Sequence, residues 1–539
     1  MQPHYIVVTG GVMSGLGKGI CTASIGKILQ ARGFNVTAIK IDGYFNFDAG
    51  TLRPTEHGEV WVTEDGGEID EDLGHYERFL DVNISKDNNL TSGKIYWEVI
   101  KKEREGKYLG KTVQLIPHIT DEIKREIKEV AEKTRANFVL VEIGGTVGDY
   151  ENSIFIEAAR QMKFDGEKII YIHLSYLPIP SHIGEQKTKP TQISVRDLMS
   201  MGIQPDFIIC RSEKPVDDVR KEKIALFCNV HKDCVVSDSD LEFVYEVPLI
   251  FEQQNFADKI LKKFDISSKK PDLEDWVKFV DKIKNLKEEV KIGIVGKYFD
   301  IGEFSLMDSY VSVIEAVKHA AWANDRKPRI IWIDSKQFEI DKSKLSILKS
   351  VNGIIVPGGF GGSGVEGKIA AIQFARENNI PFLGLCYGLQ LAVIEFTRNV
   401  CGFDGANTTE VDSQTKYPVI DLLPWQKKII AESKYGATMR LGGQEVLIKE
   451  KTVAHKFYKS EKVVERFRHR YEVNPEYIQC LEKNGLLFSG RSSRDENIMQ
   501  IVELPNHKYF VATQFHPEFT SRPLKSNPLF YGFVNACIS

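Results

Sequence analysis

The segment Pro381-Phe382-Leu383-Gly384-Leu385-Cys386-Tyr387-Gly388-Leu389-Gln390 carries the strongest chemical signal in the chain. An apolar run enters Gly-x-Cys-x-Gly and a helical pattern follows, the layout of a nucleophile elbow with cysteine in place of serine. The flanking glycines permit the tight turn that presents the thiol. The N-terminus of the following helix favours thiolate and offers N–H groups to an oxyanion. A thiol nucleophile needs a base and a group to orient that base. Gln514-Phe515-His516-Pro517-Glu518 supplies both, 130 residues after Cys386. In an extended segment His516 and Glu518 sit on one side, so Glu518 can hold the ring while His516 takes the thiol proton. Upstream, Pro357-Gly358-Gly359-Phe360-Gly361 ends another apolar run, and its backbone N–H groups can complete an oxyanion hole. The chemistry implied is amide hydrolysis through a thioester.

The other end of the chain points to phosphoryl chemistry. His4–Thr9 reads as a buried strand, and Gly10-Gly11-Val12-Met13-Ser14-Gly15-Leu16-Gly17-Lys18-Gly19 follows it. Strand, glycine-rich turn, Gly-Lys and helix form a phosphate cradle: backbone N–H groups converge on phosphate oxygens and the lysine reaches the outer ones. Five residues separate Gly11 from Gly17, and Gly19 stands where a magnesium-contacting Ser or Thr is usual. Other oxygens must then hold the cation, and two candidates are Asp72, in the acidic run Glu68–Asp72, and Glu142, at the end of the strand Phe138–Ile143. Lys187-Thr188-Lys189-Pro190-Thr191-Gln192 is a second element suited to an anion, although a surface loop reads the same way. Lys40 and Lys223 are ambiguous on residue type alone.

The elements that must position these residues are short apolar strands alternating with helical patterns. In the first half they are Asn35–Ile41, Phe138–Ile143, Lys168–Leu174 and Asp206–Arg211, with a helix at Lys18–Arg32. In the second they are Val290–Val295, Ile330–Ile333, Gly353–Val356, Pro381–Leu385 and Phe510–Thr513. Such alternation predicts an α/β protein of two doubly wound, mostly parallel-sheet domains. The charged stretch at 267–289 reads as a linker with a surface helix, dividing the chain into 1–266 and 290–539. With 71 basic and 75 acidic residues in 539, the formal charge of −4 gives no case for a nucleic-acid or membrane-surface protein. Eight cysteines without CxxC spacing indicate a reducing compartment. The first residues do not read as a signal peptide and no run is long enough to span a bilayer, so a cytoplasmic location is expected.

The segments VTGGVMSGLGKG, TEHGEVWVTEDGGEID, DLGHYERF, VEIGGTVGD and GEQKTKPTQ, with RHRYEVN and PNHKYFVATQFHPEFTSRP, together resemble the CTP synthase family, and the second half resembles a class I glutamine amidotransferase. The resemblance covers essentially the whole chain. It implies a P-loop-like amidoligase domain and a glutaminase domain with the triad Cys386, His516 and Glu518. The implied reaction is ATP-dependent amination of UTP to CTP through a 4-phosphorylated UTP, with ammonia from glutamine travelling through an internal channel. For ATP it implies Gly15, Leu16, Gly17, Lys18, Gly19, Ile20, Lys40 and Asp72, with Ser239, Asp240 and Leu241 near adenine. For magnesium it implies Asp72 and Glu142. For UTP or product CTP it implies Ser14, Asp149, Tyr150, Glu151, Lys187, Thr188, Lys189, Pro190, Thr191, Gln192 and Lys223. For glutamine it implies Gly359, Tyr387, Gly388, Leu389, Gln390, Glu410 and Arg470, and for a channel gate Pro54 and His57. Mg2+ with ATP, GTP as allosteric activator, a homotetramer and filaments also belong to the resemblance.

Four positions depart from the family pattern. Gly43 stands in place of proline, Arg53 in place of a small serine, Tyr387 in place of leucine after the nucleophile, and Ser363 in place of the lid arginine associated with GTP activation. The last predicts a weakened or altered GTP response. Three other readings share parts of the pattern. An amidoligase acting on corrin carboxylates would not need KTKPTQ. A filament-forming paralogue without turnover would not need an intact triad. A partition-type ATPase leaves the glutaminase half without purpose.

Overall fold

The computed structural model describes residues 2–297, 309–359, 361–423 and 439–539. Phe360, in the glycine run after Val356, lies outside them. The chain forms two compact units, Met1–Thr51 with Glu68–Val280 and Leu52–Gly67 with Asp281–Ser539. Unlike the sequence-based division, this places 52–67 with the C-terminal unit.

In the first unit seven parallel strands lie in the order Asn89–Thr91, Val36–Asp42, Phe138–Ile143, His4–Gly10, Lys168–Tyr176, Phe207–Ser212 and Val235–Ser239. Helices cover both faces, so the central strands can be apolar throughout: all seven residues of His4–Gly10 and all six of Phe138–Ile143 are buried. The predicted strands are each present, shifted by a residue or two at their ends. The first helix spans Lys18–Gln30.

The linker helix spans Glu274–Asn285 and differs from the solvated helix expected. Trp276, Phe279, Val280 and Ile283 are buried. At spacings of three and four they form an apolar stripe that the surrounding charges conceal. Trp276 Nε1 donates to the Tyr245 carbonyl at 2.8 Å, and Lys27 lies over its ring.

The second unit has a nine-stranded sheet. Lys327–Asp334, Glu289–Gly296, Gly353–Val356, Phe382–Leu385 and Phe510–Thr513 are parallel. Met499–Glu503, Leu487–Ser492, Arg440–Ile448 and Lys462–His469 extend the sheet antiparallel. The sheet therefore brings the ends of Phe382–Leu385 and Phe510–Thr513, and hence Cys386 and His516, side by side. Among the described residues no helix is long and apolar enough to cross a membrane.

Candidate active sites

In the first unit the strand ends Asp42 and Ile143 and the start of the helix Asp72–Leu80 deliver charged groups to one place. Lys40 Nζ donates to Asp72, donates to Glu142 Oε1 at 3.0 Å and lies 4.0 Å from Asp42. Tyr76 donates to the other Glu142 oxygen. Glu142 is fully buried, so it is no surface charge at a strand end. Lys18 is also buried and donates to the Gly145 carbonyl at 2.7 Å.

Electrostatics decide which of these groups stay charged. Burial alone would lower Lys40, but Asp72 and Glu142 outweigh it and hold the ammonium well above its ordinary range. Burial lowers Lys18 against the pull of Glu142. Burial pushes Asp42 up to about 6 and, with Asp42 beside it, pushes Asp70 far above the carboxylate range, while Lys40 keeps Asp72 low against its burial. With Asp70 kept protonated, Asp42, Asp72 and Glu142 face Lys40 and Lys18, and the carboxylate in excess fits a cation. Among the described residues no cluster of three such ligands forms a closed metal cage. Asp42, Asp70 and Tyr76 were not singled out by sequence reasoning; Asp70 stood in the acidic run from which Asp72 was chosen.

Gly19 has a positive structural reason. A Cβ there would lie 2.3 Å from Asp72 Oδ1 and 2.9 Å from its Cγ. The carboxylate of Asp72 occupies the space that a P-loop Ser or Thr would take.

Around this centre Ser14 and Gly15 lie exposed in the turn, with Leu16 buried. Thr188, Thr191 and Gln192 are buried at the start of the helix Lys189–Ser200: Thr191 and the Ser175 hydroxyl are 3.0 Å apart, and Gln192 donates to Thr188 at 3.1 Å. Lys187 is half-buried, and Lys189 and Lys223 are exposed. Asp149 accepts from the Thr146 N–H at 2.7 Å, while Tyr150 and Glu151 are exposed. Gly43 packs on the same loop, where a Cβ would come within 2.7 Å of Glu151 Cβ and Asn152 Oδ1. Ser239–Leu241 follows the edge strand, and Arg211 donates to the Ser239 carbonyl at 2.8 Å and pairs with Asp240 at 2.9 Å.

In the second unit Cys386 sits between Phe382–Leu385 and the helix Tyr387–Asn399 with φ 51° and ψ −99°. That positive φ on a non-glycine residue is the strained turn expected of a nucleophile elbow. Its thiol is 3.7 Å from the Arg468 carbonyl and 3.8 Å from Gln514 Nε2. His516 Nδ1 donates to Glu518 Oε1 at 2.7 Å. Burial would lower the His516 pKa, but Glu518 and Cys386 overcome it and push it up to about 10. Gly358 lets the upstream loop approach: a Cβ there would lie 2.9 Å from His516 Cε1 and 3.7 Å from Cys386 Cβ. The Leu389 and Gln390 N–H groups donate to the Cys386 carbonyl at 3.0 and 3.3 Å, so the leading N–H groups of the helix, those of Tyr387 and Gly388, are the ones an oxyanion can take.

Two of the predicted glutamine residues, Tyr387 and Glu410, meet at Gly361. Glu410 accepts from the Gly361 N–H at 3.0 Å, and burial raises it against Lys297 and Arg470. Gln390 donates to the Tyr471 carbonyl at 2.9 Å, and Leu389 and Gly388 are buried with it. Tyr387 donates to the Gly361 carbonyl at 3.2 Å. Sequence reasoning missed Lys368, which is 1% exposed, lies 5.7 Å from the Tyr387 ring centroid and has no carboxylate partner among the described residues. Burial, with Lys297 beside it, lowers it to about 7. Ser363 is exposed. Pro54 and His57 form a short helix in the 52–67 segment, and the Pro54 carbonyl accepts from Ser309 at 3.2 Å. Arg53 is exposed, 3.8 Å from Glu56.

Comparison with known proteins gives the same division of labour. Residues 4–266 match the family described as CTP synthase N-terminus, and 305–536 match glutamine amidotransferase class-I. The CTP synthase of Pyrococcus furiosus is 54% identical over 534 residues, covering 99% of this chain and 97% of the relative. That of Methanocaldococcus jannaschii is 54% identical over 541 residues, covering 99% and 98%. Among solved structures, the Trypanosoma brucei CTPS glutaminase domain with bound acivicin is similar with a TM-score of 0.43 and 38% identity, over 46% of this chain and 94% of that one.

Proposed function

The chain belongs to the CTP synthase family, and from that premise we propose how its two units divide the amination of UTP to CTP, a glutamine-hydrolysing ligase reaction. In the second unit Cys386 attacks the glutamine amide carbon. The C–N bond breaks, and the leaving ammonia takes its proton from His516, which Glu518 keeps oriented and protonated. First-turn N–H groups of the helix after Cys386 hold the oxyanion. Water, activated by the neutral His516, cleaves the thioester to glutamate and regenerates the thiol. Glu410 and Arg470 hold the amino-acid end of glutamine, and Gly359 with Tyr387–Gln390 line its amide.

In the first unit the Gly15–Ile20 turn and Lys18 hold ATP phosphates, with Ser239–Leu241 at adenine. Ser14, Lys187–Gln192 and Lys223 bind UTP, and Asp149, Tyr150 and Glu151 read product CTP. Lys40 neutralises charge on the phosphoryl group as it passes from ATP to O4 of the uracil ring. Asp72 and Glu142 are the residues that would hold magnesium, which supplies charge neutralisation to the nucleotide phosphates. Phosphorylation turns the ring oxygen into a leaving group. Ammonia, delivered through a channel gated by Pro54 and His57, then displaces phosphate at carbon 4. The enzyme works in the cytoplasm as a homotetramer capable of forming filaments, with GTP as its activator.

The observation that carries this reading is the pairing of Lys40 with Asp72 and Glu142 beside Lys18, in a chain whose other unit holds the assembled Cys386, His516 and Glu518. The test is CTP formation from UTP, ATP and magnesium with either glutamine or ammonium. Wild type is expected to use both, and Cys386→Ala only ammonium. No CTP from a folded wild type under either condition would sink the reading.

A further inference from the structure

The segment 52–67 packs within the glutaminase unit, where its Trp61 is 1% exposed. Three contacts run from it towards the catalytic histidine. The edge of Trp61 meets the Phe519 ring at 5.0 Å between centroids and 62°. Phe519 in turn stacks on the His516 imidazole at 5.2 Å and 25°. The buried Arg466 also meets the indole, its guanidinium 5.5 Å from the ring centroid, and donates to the Val62 carbonyl at 3.0 Å. The carbonyl of that same arginine accepts the His516 N–H at 2.8 Å. His516 is thus held twice by the surroundings of Trp61, through its ring and through its backbone.

The rest of the segment is anchored too. Glu59 accepts from the Ser312 N–H at 2.8 Å and from its hydroxyl, and the Gly443 N–H donates to the Glu64 carbonyl at 2.7 Å. Yet at Thr51 and Glu68 the segment continues into the other unit. Trp61 thus sits in a segment joined to the other unit at both of its chain ends, and touches the ring stacked on His516.

We propose that Trp61 is a positioning residue of the glutaminase: through Phe519 it fixes the plane of the His516 ring, so that the segment 52–67 sets the rate of glutamine hydrolysis. An aromatic face favours an imidazolium stacked on it, and an edge-on indole keeps that face from rotating away. The inference rests on the functional reading above, but its main readout does not, since glutamate release is measured without reference to CTP.

The test compares Trp61→Phe, Trp61→Leu and Phe519→Leu with wild type. For each, kcat and KM for glutamine are measured by glutamate release with UTP, ATP and magnesium present. The pH profile of Cys386 alkylation by iodoacetamide and ammonium-dependent CTP formation are measured alongside. Trp61→Leu and Phe519→Leu are expected to lower glutaminase kcat on the order of tenfold or more with KM little changed, since small misplacements of a catalytic group cost that much. They should also shift the alkylation profile. Trp61→Phe, which keeps an aromatic edge, is expected to restore most of the rate. Glutaminase kcat and alkylation like wild type in both leucine variants would overturn the proposal. So would an equal loss of ammonium-dependent synthesis, which would mean general damage to the fold. A wild type making no CTP from ammonium would count against the functional reading, while the glutamate comparison would still decide the role of Trp61.

Discussion

Gly19→Ala separates two opposing expectations. Gly19 lies in the first turn of the helix Lys18–Gln30. On helix propensity alone, replacing a helical glycine by alanine stabilises by roughly 0.5–1 kcal/mol. Here the new methyl would lie 2.3 Å from Asp72 Oδ1. Reaching ordinary contact requires a relative shift of about 1 Å. Asp72 is the partner of Lys40. Opening such a pair from roughly 3 to 4 Å at an effective dielectric constant of about 20 weakens it by about 1.4 kcal/mol. That is about tenfold in rate if Lys40 acts on the transferred phosphoryl group in the transition state, with a further loss from misalignment. Ammonium-dependent CTP formation at saturating UTP and ATP is therefore expected to fall at least about tenfold. Glutamate release from glutamine, run in the absence of nucleotide, is expected to stay within about twofold, because Cys386 and its partners lie in the other unit. Gly19→Ser should behave like alanine or worse, even though it restores the usual P-loop residue. Full ammonium-dependent activity in either variant would refute the assignment of that space to Asp72.

Three further outcomes are expected. Glu518→Gln removes the charge that holds His516 up near 10, so the basic limb of glutaminase kcat/KM should move to lower pH while kcat falls on the order of a hundredfold or more. The His516 pKa is raised in the folded chain, so the stability it contributes is present below about 6.5 and lost as pH rises through about 10; the variant's melting temperature should lack that component. Lys368 has the opposite sign. Its pKa is lowered from 10.5 to about 7, so it opposes folding below about 7 and the penalty fades as pH rises towards 10.5. Lys368→Met is therefore expected to be more stable than wild type at pH 7, by on the order of a few kcal/mol, with the gap closing by pH 10; calorimetry showing no gap at pH 7 would count against an uncompensated buried amine. With serine at 363, glutamine-dependent turnover should respond weakly to GTP and Ser363→Arg should strengthen the response, whereas strong stimulation of wild type by low GTP would contradict this.

How legible each site was in the sequence depended on how far the chain had to travel to build it. Cys386 and its glycines are one turn, and His516 and Glu518 are two residues apart, so residue type and spacing were enough to pick out the proposed triad. The proposed phosphoryl site joins residues 18, 40, 72 and 142. The strand-end position of Glu142 and the glycine turn before Lys18 were readable because a parallel sheet places its chemistry at strand ends. Asp42 was not: the two-residue period of a strand puts it on the face of Lys40, but Lys40 was itself ambiguous in the sequence. The linker helix was misread because its charged residues outnumber the buried stripe of Trp276, Phe279, Val280 and Ile283.

Two features had no local signature. A lysine between apolar helix positions, as Lys368 is, reads as a side chain reaching for water; only the structure puts Gly359, Lys297 and the Tyr387 ring around its amine. Trp61 falls within 1–266, which the sequence assigns to the first domain, while its partners Arg466 and Phe519 lie more than 400 positions away. The same fact gives the contact its interest. A contact between near neighbours would add only to local stability. This one joins a segment from early in the chain to the ring stacked on His516, which is why the proposed positioning role falls to Trp61.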